Sequence, residues 1–392
     1  MTIWCELAWI SGTFQPSVRI SLDEQAVITH IELNQEPQSD DRIVEGLITP
    51  GFINAHCHLE LSHLHEQIPM HTGMAGFVET LQQKRNIATT EQKNKSQIAA
   101  IQQLKKRGVV GVADICNSAD TISTKSLFPE IQFHNFLEVF GLTDKSAQNQ
   151  IDTINFLTTQ FSTASVTPHA PYSVATKLLA YTQERLEKVY SVHLFESEEE
   201  MQLYDQQKGA LWDLFSRWGI PIAAEFYRQN PIQHISAGMP QNAAILWVHN
   251  VWLTNKQIEA LIQLFPKSYF CLCPRANLFI NNRLPDFSNF LNVKTRLCLG
   301  TDSLAGTTSL DLLADAKILM ESSFFEMKDI LNILTLNPAK ALGWENEIGN
   351  IEIGKSPGIN QLFPIQADTP RLLSETSVQP IASRCSIYPT FA

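Results

Sequence analysis

Eleven histidines occur in 392 residues. Two of them, His56 and His58, stand one residue apart in Pro50-Gly51-Phe52-Ile53-Asn54-Ala55-His56-Cys57-His58. On an extended strand, residues two apart project to the same face. The pair can present two imidazoles to one divalent ion, against the bland alternative of two surface or backbone-satisfied rings. Further along, Asp114, Glu138, His169, His193, His249 and Asp302 each close an apolar run. Three imidazoles and a carboxylate form an N/O shell suited to zinc or a similar divalent ion, with one position left for water. His56, His58, His193 and Asp302 are the candidate ligands. An ion held there lowers the pKa of a bound water toward neutrality, and something must then take the proton. Glu196, in His193-Leu194-Phe195-Glu196, suits that general base and acid role. The acids Glu198, Glu199 and Glu200 are read as complements to the positive N-terminus of the following helix. His249 is read as a fifth ligand, as a group that orients the attacking oxygen and stabilises charge, or as a core histidine.

Such residues need a frame that gathers strand ends on one side. From residue 48 onward, short apolar runs alternate with helical segments. The patterning predicts strands at 47–55, 109–114, 133–139, 165–168, 190–193, 244–249, 268–273 and 296–300. In 254–265, Ile258, Leu261, Ile262 and Phe265 follow helical spacing, and Thr254 with Gln257 makes a capping-box start. Leu312, Ala316, Leu319 and Met320 mark a second apolar stripe. Eight strands with helical crossovers predict an α/β fold, a (β/α)8 barrel whose usual ~250 residues suit 48–345. An open doubly wound sheet is the alternative, without the Gly-x-Gly-x-x-Gly turn that would support it. The segments 1–47, 348–355 and 361–365 look β-like. Residues 1–47 and 346–392 are therefore expected to build one small β-sandwich domain beside the catalytic barrel.

Hydrophobic residues make up 44% and charged residues 18%, the balance of a globular protein with ample core. The net charge is −11 and no Lys/Arg-rich tract occurs, which argues against nucleic acid or an anionic membrane as partner. No apolar run approaches the ~20 residues of a membrane helix. Met1-Thr2-Ile3-Trp4-Cys5-Glu6 lacks the basic start of a signal peptide. Seven cysteines without a CxxC pair point to reduced, buried thiols and a cytoplasmic setting. Cys271 and Cys273 share a strand face and are read as core. His63, His65 and His71 are read as a polar loop with no metal role.

The motifs resemble those of the amidohydrolase superfamily. Pro50 to His58 is similar to its first-strand signature. Thr167-Pro168-His169-Ala170-Pro171-Tyr172, His193-Leu194-Phe195-Glu196, Val248-His249-Asn250-Val251-Trp252-Leu253 and Leu299-Gly300-Thr301-Asp302-Ser303 match further motifs in order. Cys273-Pro274-Arg275-Ala276-Asn277 resembles the seventh-strand motif, and Asn337-Pro338-Ala339-Lys340-Ala341-Leu342-Gly343 the closing segment. Within the superfamily, the likeness is to the chlorohydrolase-like aminohydrolases, including S-adenosylhomocysteine/adenosine and aminodeoxyfutalosine deaminases. The resemblance implies one divalent ion, Zn2+ with Fe2+ as the alternative, on His56, His58, His193 and Asp302. It implies proton shuttling by Glu196, with His249 and Asp302 helping to hold a tetrahedral centre as ammonia leaves. Binuclear relatives carry a carboxylated lysine where this chain has His169, which implies a single ion. The substrate implied is a small molecule, an amino-substituted purine-type ring or nucleoside derivative. A homodimer is common among such relatives. The alternatives are hydrolysis of another C–N or C–Cl bond, or a non-catalytic barrel that binds. Candidate substrate contacts are His169, Glu60, Glu138, Tyr172 and Arg275. Glu60 either reads an amino or ring N–H group or braces His58. The continuation Leu59-Glu60-Leu61 and the stretch Ser356-Pro357-Gly358-Ile359-Asn360 depart from many relatives.

Overall fold

The computed structural model describes residues 1–220, 224–366 and 370–384. Four strands open the chain: β1 (Thr2–Ile10), β2 (Thr13–Leu22), β3 (Ile28–Glu32) and β4 (Arg42–Pro50). Eight strands follow that alternate with helices: β5 (Phe52–Cys57), β6 (Val109–Cys116), β7 (Gln132–Val139), β8 (Ala164–Pro168), β9 (Val189–Leu194), β10 (Ala244–His249), β11 (Lys267–Leu272) and β12 (Leu297–Leu299). Two more, β13 (Ile359–Gln366) and β14 (Arg371–Ala382), end the described chain. All eight expected strands are present, within one or two residues at most ends.

The run at 47–55 divides, however, because it serves two sheets. Its first half pairs with β13 and its second half with β6. The handover is at Gly51, whose N–H lies 3.2 Å from the carbonyls of Pro357 and Gly358. A Cβ at Gly51 would run into the Val110 side chain and the Pro357 carbonyl, so the backbone approach there requires glycine.

The strands of both chain ends join in one six-stranded sheet of order β14-β13-β4-β1-β2-β3. The stretch 348–355, expected to be β-like, is not a strand. Gly349 and Gly354 take left-handed backbone (φ 89° and 87°) and turn the chain. The Gly354 N–H and the Lys355 carbonyl instead pin this turn to Ile28.

The eight parallel strands form two sheets of order β5-β6-β7-β8 and β12-β11-β10-β9. Strands β5, β6 and β9 are buried along their whole length, as parallel strands covered on both faces must be. The ladders stop between β8 and β9 and between β12 and β5, where side-chain bonds of Thr167 with Ser191 and of Asn54 with Thr301 join isolated backbone contacts. The His193 N–H donates to the His169 carbonyl at 2.9 Å, and the Asp302 N–H donates to the His56 carbonyl at 3.1 Å. Both of these backbone contacts fall at the C-terminal ends of the strands, and both are made by candidate site residues. Helix Asn255–Leu264 begins at Thr254 with the predicted capping box. Helix Leu312–Glu321 buries Leu312, Ala316, Leu319 and Met320 as its stripe requires. Cys271 and Cys273 are fully buried, and all six cysteines among the described residues are free. Cys385 lies outside the described residues.

Candidate active site

Each candidate ligand sits where an apolar strand ends, so the buried strand carries a polar group to the rim. His56 and His58 close β5, His193 is the penultimate residue of β9, and Asp302 follows β12. The Nε2 atoms of His56 and His58 lie 3.1 Å apart. Asp302 Oδ1 lies 3.8 Å from His56 Nε2 and 3.5 Å from His58 Nε2. The His193 ring stands 4.8 Å from that of His56 and 5.6 Å from that of His58, centre to centre. His193 Nδ1 lies 3.1 Å from the His169 carbonyl, which accepts its N–H and leaves Nε2 with a lone pair.

Burial lowers the pKa of His56 and His58 well below the ordinary value, and neighbouring imidazoles, His193 first, push further the same way. Burial takes His193 down to about 4. Neutral imidazole is the form that binds a cation. Burial likewise lifts Asp302 to about 7, against the opposing pull of the Ser303 N–H. Three neutral imidazoles and one carboxylate, converging without lysine or arginine, fit a divalent ion.

Beside this cluster, Glu196 Oε1 lies 3.4 Å from His249 Nε2. Burial raises the Glu196 carboxyl well above its ordinary range, with Asp302 and then Glu200 adding repulsion. A carboxyl held in that state can carry a proton. Burial takes His249 down to about 3, so its ring is neutral. Its Nδ1–H donates to Asn277 Oδ1 at 2.8 Å, which turns Nε2 toward Glu196. Phe195, His249 and Asp302 all hold left-handed backbone (φ 50°, 71° and 56°). Such conformations are costly for residues other than glycine and gather at functional sites.

A cavity of about 580 Å³ opens over these groups. His58, His193, Glu196, His249 and Asp302 line its polar end. Met74, Phe77, Val78 and Leu81 of helix Gly73–Lys84 line an apolar wall, joined by Leu211 and Phe215 of helix Ala210–Arg217.

Of the expected substrate contacts, Glu60, Glu138, His169 and Tyr172 line this cavity. His169 Nδ1 is engaged by Ser173 Oγ at 2.6 Å, so Nε2 is the ring nitrogen left for the cavity. The side chain of Glu60 meets Asn117, Ser118 and Arg85. Its carboxylate accepts from the Asn117 backbone N–H at 2.8 Å and lies 3.5 Å from Arg85. Arg275 is not brought to the cavity. Its guanidinium donates to the Ser309 carbonyl at 3.0 Å and to Thr308 Oγ1 at 2.6 Å, which fastens the loop after Asp302. The seventh strand ends at Leu272, and Pro274 opens a helix that carries Arg275 outward.

Asp114, also at a strand end, accepts from the Leu59 N–H at 2.8 Å and pairs with buried Lys125 at 2.5 Å. It therefore supports the turn after His58 and does not line the cavity. His63 is held by the carbonyls of Glu60 and Arg85, and His65 by that of Thr308, in keeping with no metal role.

Glu198, Glu199 and Glu200 all stand in the first turn of helix Glu198–Gln206, and two of them also have partners elsewhere. Glu199 bonds the Ala75 N–H of another helix, and buried Glu200 bonds the Glu196 N–H. Asn277 is unassigned by sequence reasoning, although it stands in the seventh-strand motif. Its partner, 28 positions earlier in the chain, is visible only in three dimensions.

A family model described as the amidohydrolase family matches residues 47–372. The chain belongs to the amidohydrolase family. It is 20% identical over 357 residues to a 5-methylthioadenosine/S-adenosylhomocysteine deaminase of Pyrococcus horikoshii, covering 84% of this chain and 78% of that protein. Among solved structures, aminofutalosine deaminase of Helicobacter pylori in complex with methylthio-coformycin aligns with a TM-score of 0.76. That alignment covers 92% of this chain and 91% of the other at 20% identity. A zinc complex of atrazine chlorohydrolase from Arthrobacter aurescens aligns with a TM-score of 0.72 at 14% identity, covering 100% and 96%. These likenesses show a shared fold. Family and residues together make this amidohydrolase a metal-dependent hydrolytic enzyme. Among the described residues, no helix is long and apolar enough to cross a membrane.

Proposed function

We propose that this amidohydrolase is a hydrolytic deaminase of an amino-substituted purine-type ring carried on a nucleoside derivative. The observation that carries the reading is the pairing of buried Glu196 with His249 at 3.4 Å, next to two groups that share His56, one with His58 and Asp302 and one with His193 and His249. His56, His58, His193 and Asp302 would hold a single zinc ion, which would supply Lewis acidity and a more acidic water. Glu196 takes the proton of the attacking water and returns it to a ring nitrogen. His249, held by Asn277, keeps the lone pair of its Nε2 toward Glu196, where it can accept a hydrogen bond and orient the attacking water. Water adds to the amino-bearing ring carbon, its second proton passes to the amino group, the exocyclic C–N bond breaks, ammonia leaves and a ring carbonyl remains.

The substrate class is supported by the cavity. Its volume of about 580 Å³ lies within the ~300–1,000 Å³ of small-molecule sites. The wall of Met74, Phe77, Val78, Leu81 and Phe215 offers apolar surface beyond the polar end, suited to an extension such as a methylthio group. The similar proteins, named as deaminases of 5-methylthioadenosine/S-adenosylhomocysteine and of aminofutalosine, support it. In this reading β5 to β12 close into one barrel within 48–345, and 1–47 with 346–392 form the accessory β unit. A small-molecule substrate, a cytoplasmic location and a homodimeric state complete the proposal.

The test is ammonia release by the zinc-loaded protein from adenosine, 5-methylthioadenosine, S-adenosylhomocysteine, aminodeoxyfutalosine, guanine and cytosine, with a chlorinated triazine as control. Ammonia from a nucleoside derivative supports the proposal. Chloride release from the triazine alone, or no ammonia from any amine, overturns it.

A further inference from the structure

Helix Gly73–Lys84 carries the apolar wall of the cavity, yet it has no cap of its own. Thr72 at its N-cap position donates to the Gly73 carbonyl and accepts from none of the helix N–H groups. The first N–H groups of a helix have no partner inside it and must find one elsewhere. Here the partner comes from a distant part of the chain. Glu199 Oε2 accepts from the Ala75 N–H at 2.6 Å, and the Met74 N–H faces the same carboxylate. A Cβ on Gly73 (φ 67°) would strike that carboxylate, so glycine at this position admits the contact. The negative charge also complements the helix dipole.

The neighbouring acid works on the other side of the site. Glu200, 1% exposed, accepts from the Glu196 N–H at 2.9 Å, and the Phe195 N–H faces it too. Phe195 is the left-handed residue that turns the chain out of β9 and presents Glu196 to the cavity. Ser197 caps the helix Glu198–Gln206 by accepting from the Glu200 N–H at 3.1 Å. Successive helical residues point about 100° apart, so three consecutive acids face three ways. Glu198 meets solvent, Glu199 the wall helix, and Glu200 the strand end.

We propose that Glu199 and Glu200 are positioning residues that tie the substrate-facing wall and the proton carrier Glu196 to one short segment. Glu199 sets where the wall helix stands, and so acts on binding. Glu200 sets where the Glu196 carboxylate points, and so acts on turnover. The assignment rests on the reading of Glu196 given above for its kinetic consequence, and on the contacts alone for its structural one.

The experiment uses the zinc-loaded full-length protein with Glu199→Ala, Glu199→Gln, Glu200→Ala and Glu200→Gln. Ammonia release from 5-methylthioadenosine and hydrogen–deuterium exchange are measured on each. For Glu199→Ala, KM rises about tenfold with kcat within about twofold, and exchange quickens at the start of 73–84. For Glu200→Ala, kcat falls about tenfold with KM within about twofold, and exchange quickens at 195–196. Each Gln variant keeps an acceptor oxygen and recovers most of the lost parameter. The proposal is overturned if both Ala variants move the same parameter, if Gln fails as badly as Ala, or if exchange in the two segments stays native. Should the native protein leave 5-methylthioadenosine intact, the substrate reading fails, and the exchange pattern by itself decides the positioning role.

Discussion

Asn277→Ala isolates the bond that orients His249. The imidazole and the amide are both buried, His249 at 1% exposure and Asn277 at 0%, and their contact is 2.8 Å. Among the described residues the Asn277 Nδ2 has no hydrogen-bond partner, so truncation removes the one side-chain bond to His249. What remains is a buried Nδ1–H that has lost its acceptor, which costs about 1–3 kcal/mol. The ring can recover by moving its proton to Nε2, the nitrogen that faces Glu196. If that energy is lost from the transition state, 1.36 kcal/mol per tenfold gives a fall in kcat of roughly 5- to 150-fold. KM and metal content stay near native, because none of the four candidate ligands bonds Asn277. Steady-state ammonia release together with metal analysis by mass spectrometry makes the measurement. A kcat within about twofold of native refutes the reasoning, as does loss of metal in step with activity.

Three other substitutions probe separate parts of the molecule. Glu196→Gln keeps the shape but cannot take a proton, so kcat falls by about 10²–10⁴ while metal content is unchanged; retained turnover would remove its assigned role. Arg275→Ala leaves KM within about twofold, since the side chain holds Ser309 and Thr308 outside the cavity, but lowers Tm by freeing that loop. A large KM change without a Tm change would show that Arg275 reaches the substrate. Asp315→Asn tests a buried carboxyl whose pKa burial lifts from 3.8 to about 7. The folded state then binds the extra proton between those values, so this group's contribution to stability falls as pH rises from about 4 to 7. Relative to native, the Asn variant gains stability across that window, by at most about 4 kcal/mol at 1.36 kcal/mol per unit. A Tm difference that is flat from pH 5 to 8 counts against it.

The frame of this protein was legible because its signals are local. Alternating apolar runs and helical stripes mark β5 to β12 and helices such as Asn255–Leu264 without reference to anything distant. A polar residue closing a buried parallel strand has few places to go, and His56, His58, His193, Asp302 and Glu196 follow from that. Sequence periodicity could not show that the run at 47–55 is shared by two sheets. The break at Gly51 depends on Val110 and Pro357, which only the assembled chain brings near.

Pairing across the fold decided the rest. Glu60 sits one residue past a legible turn, yet its partners Asn117, Ser118 and Arg85 come from other elements. Arg275 stands in a motif next to the site and still points to Thr308 and Ser309. Glu198, Glu199 and Glu200 read alike as a charge run, and three directions of one helical turn give them three environments. Local pattern was enough to mark β5 to β12 and the metal-binding candidates at their ends, because strand period and burial act over a few residues. Only the tertiary structure decided what each rim side chain meets, because a hydrogen bond forms with whatever the neighbouring strand or helix places within about 3 Å.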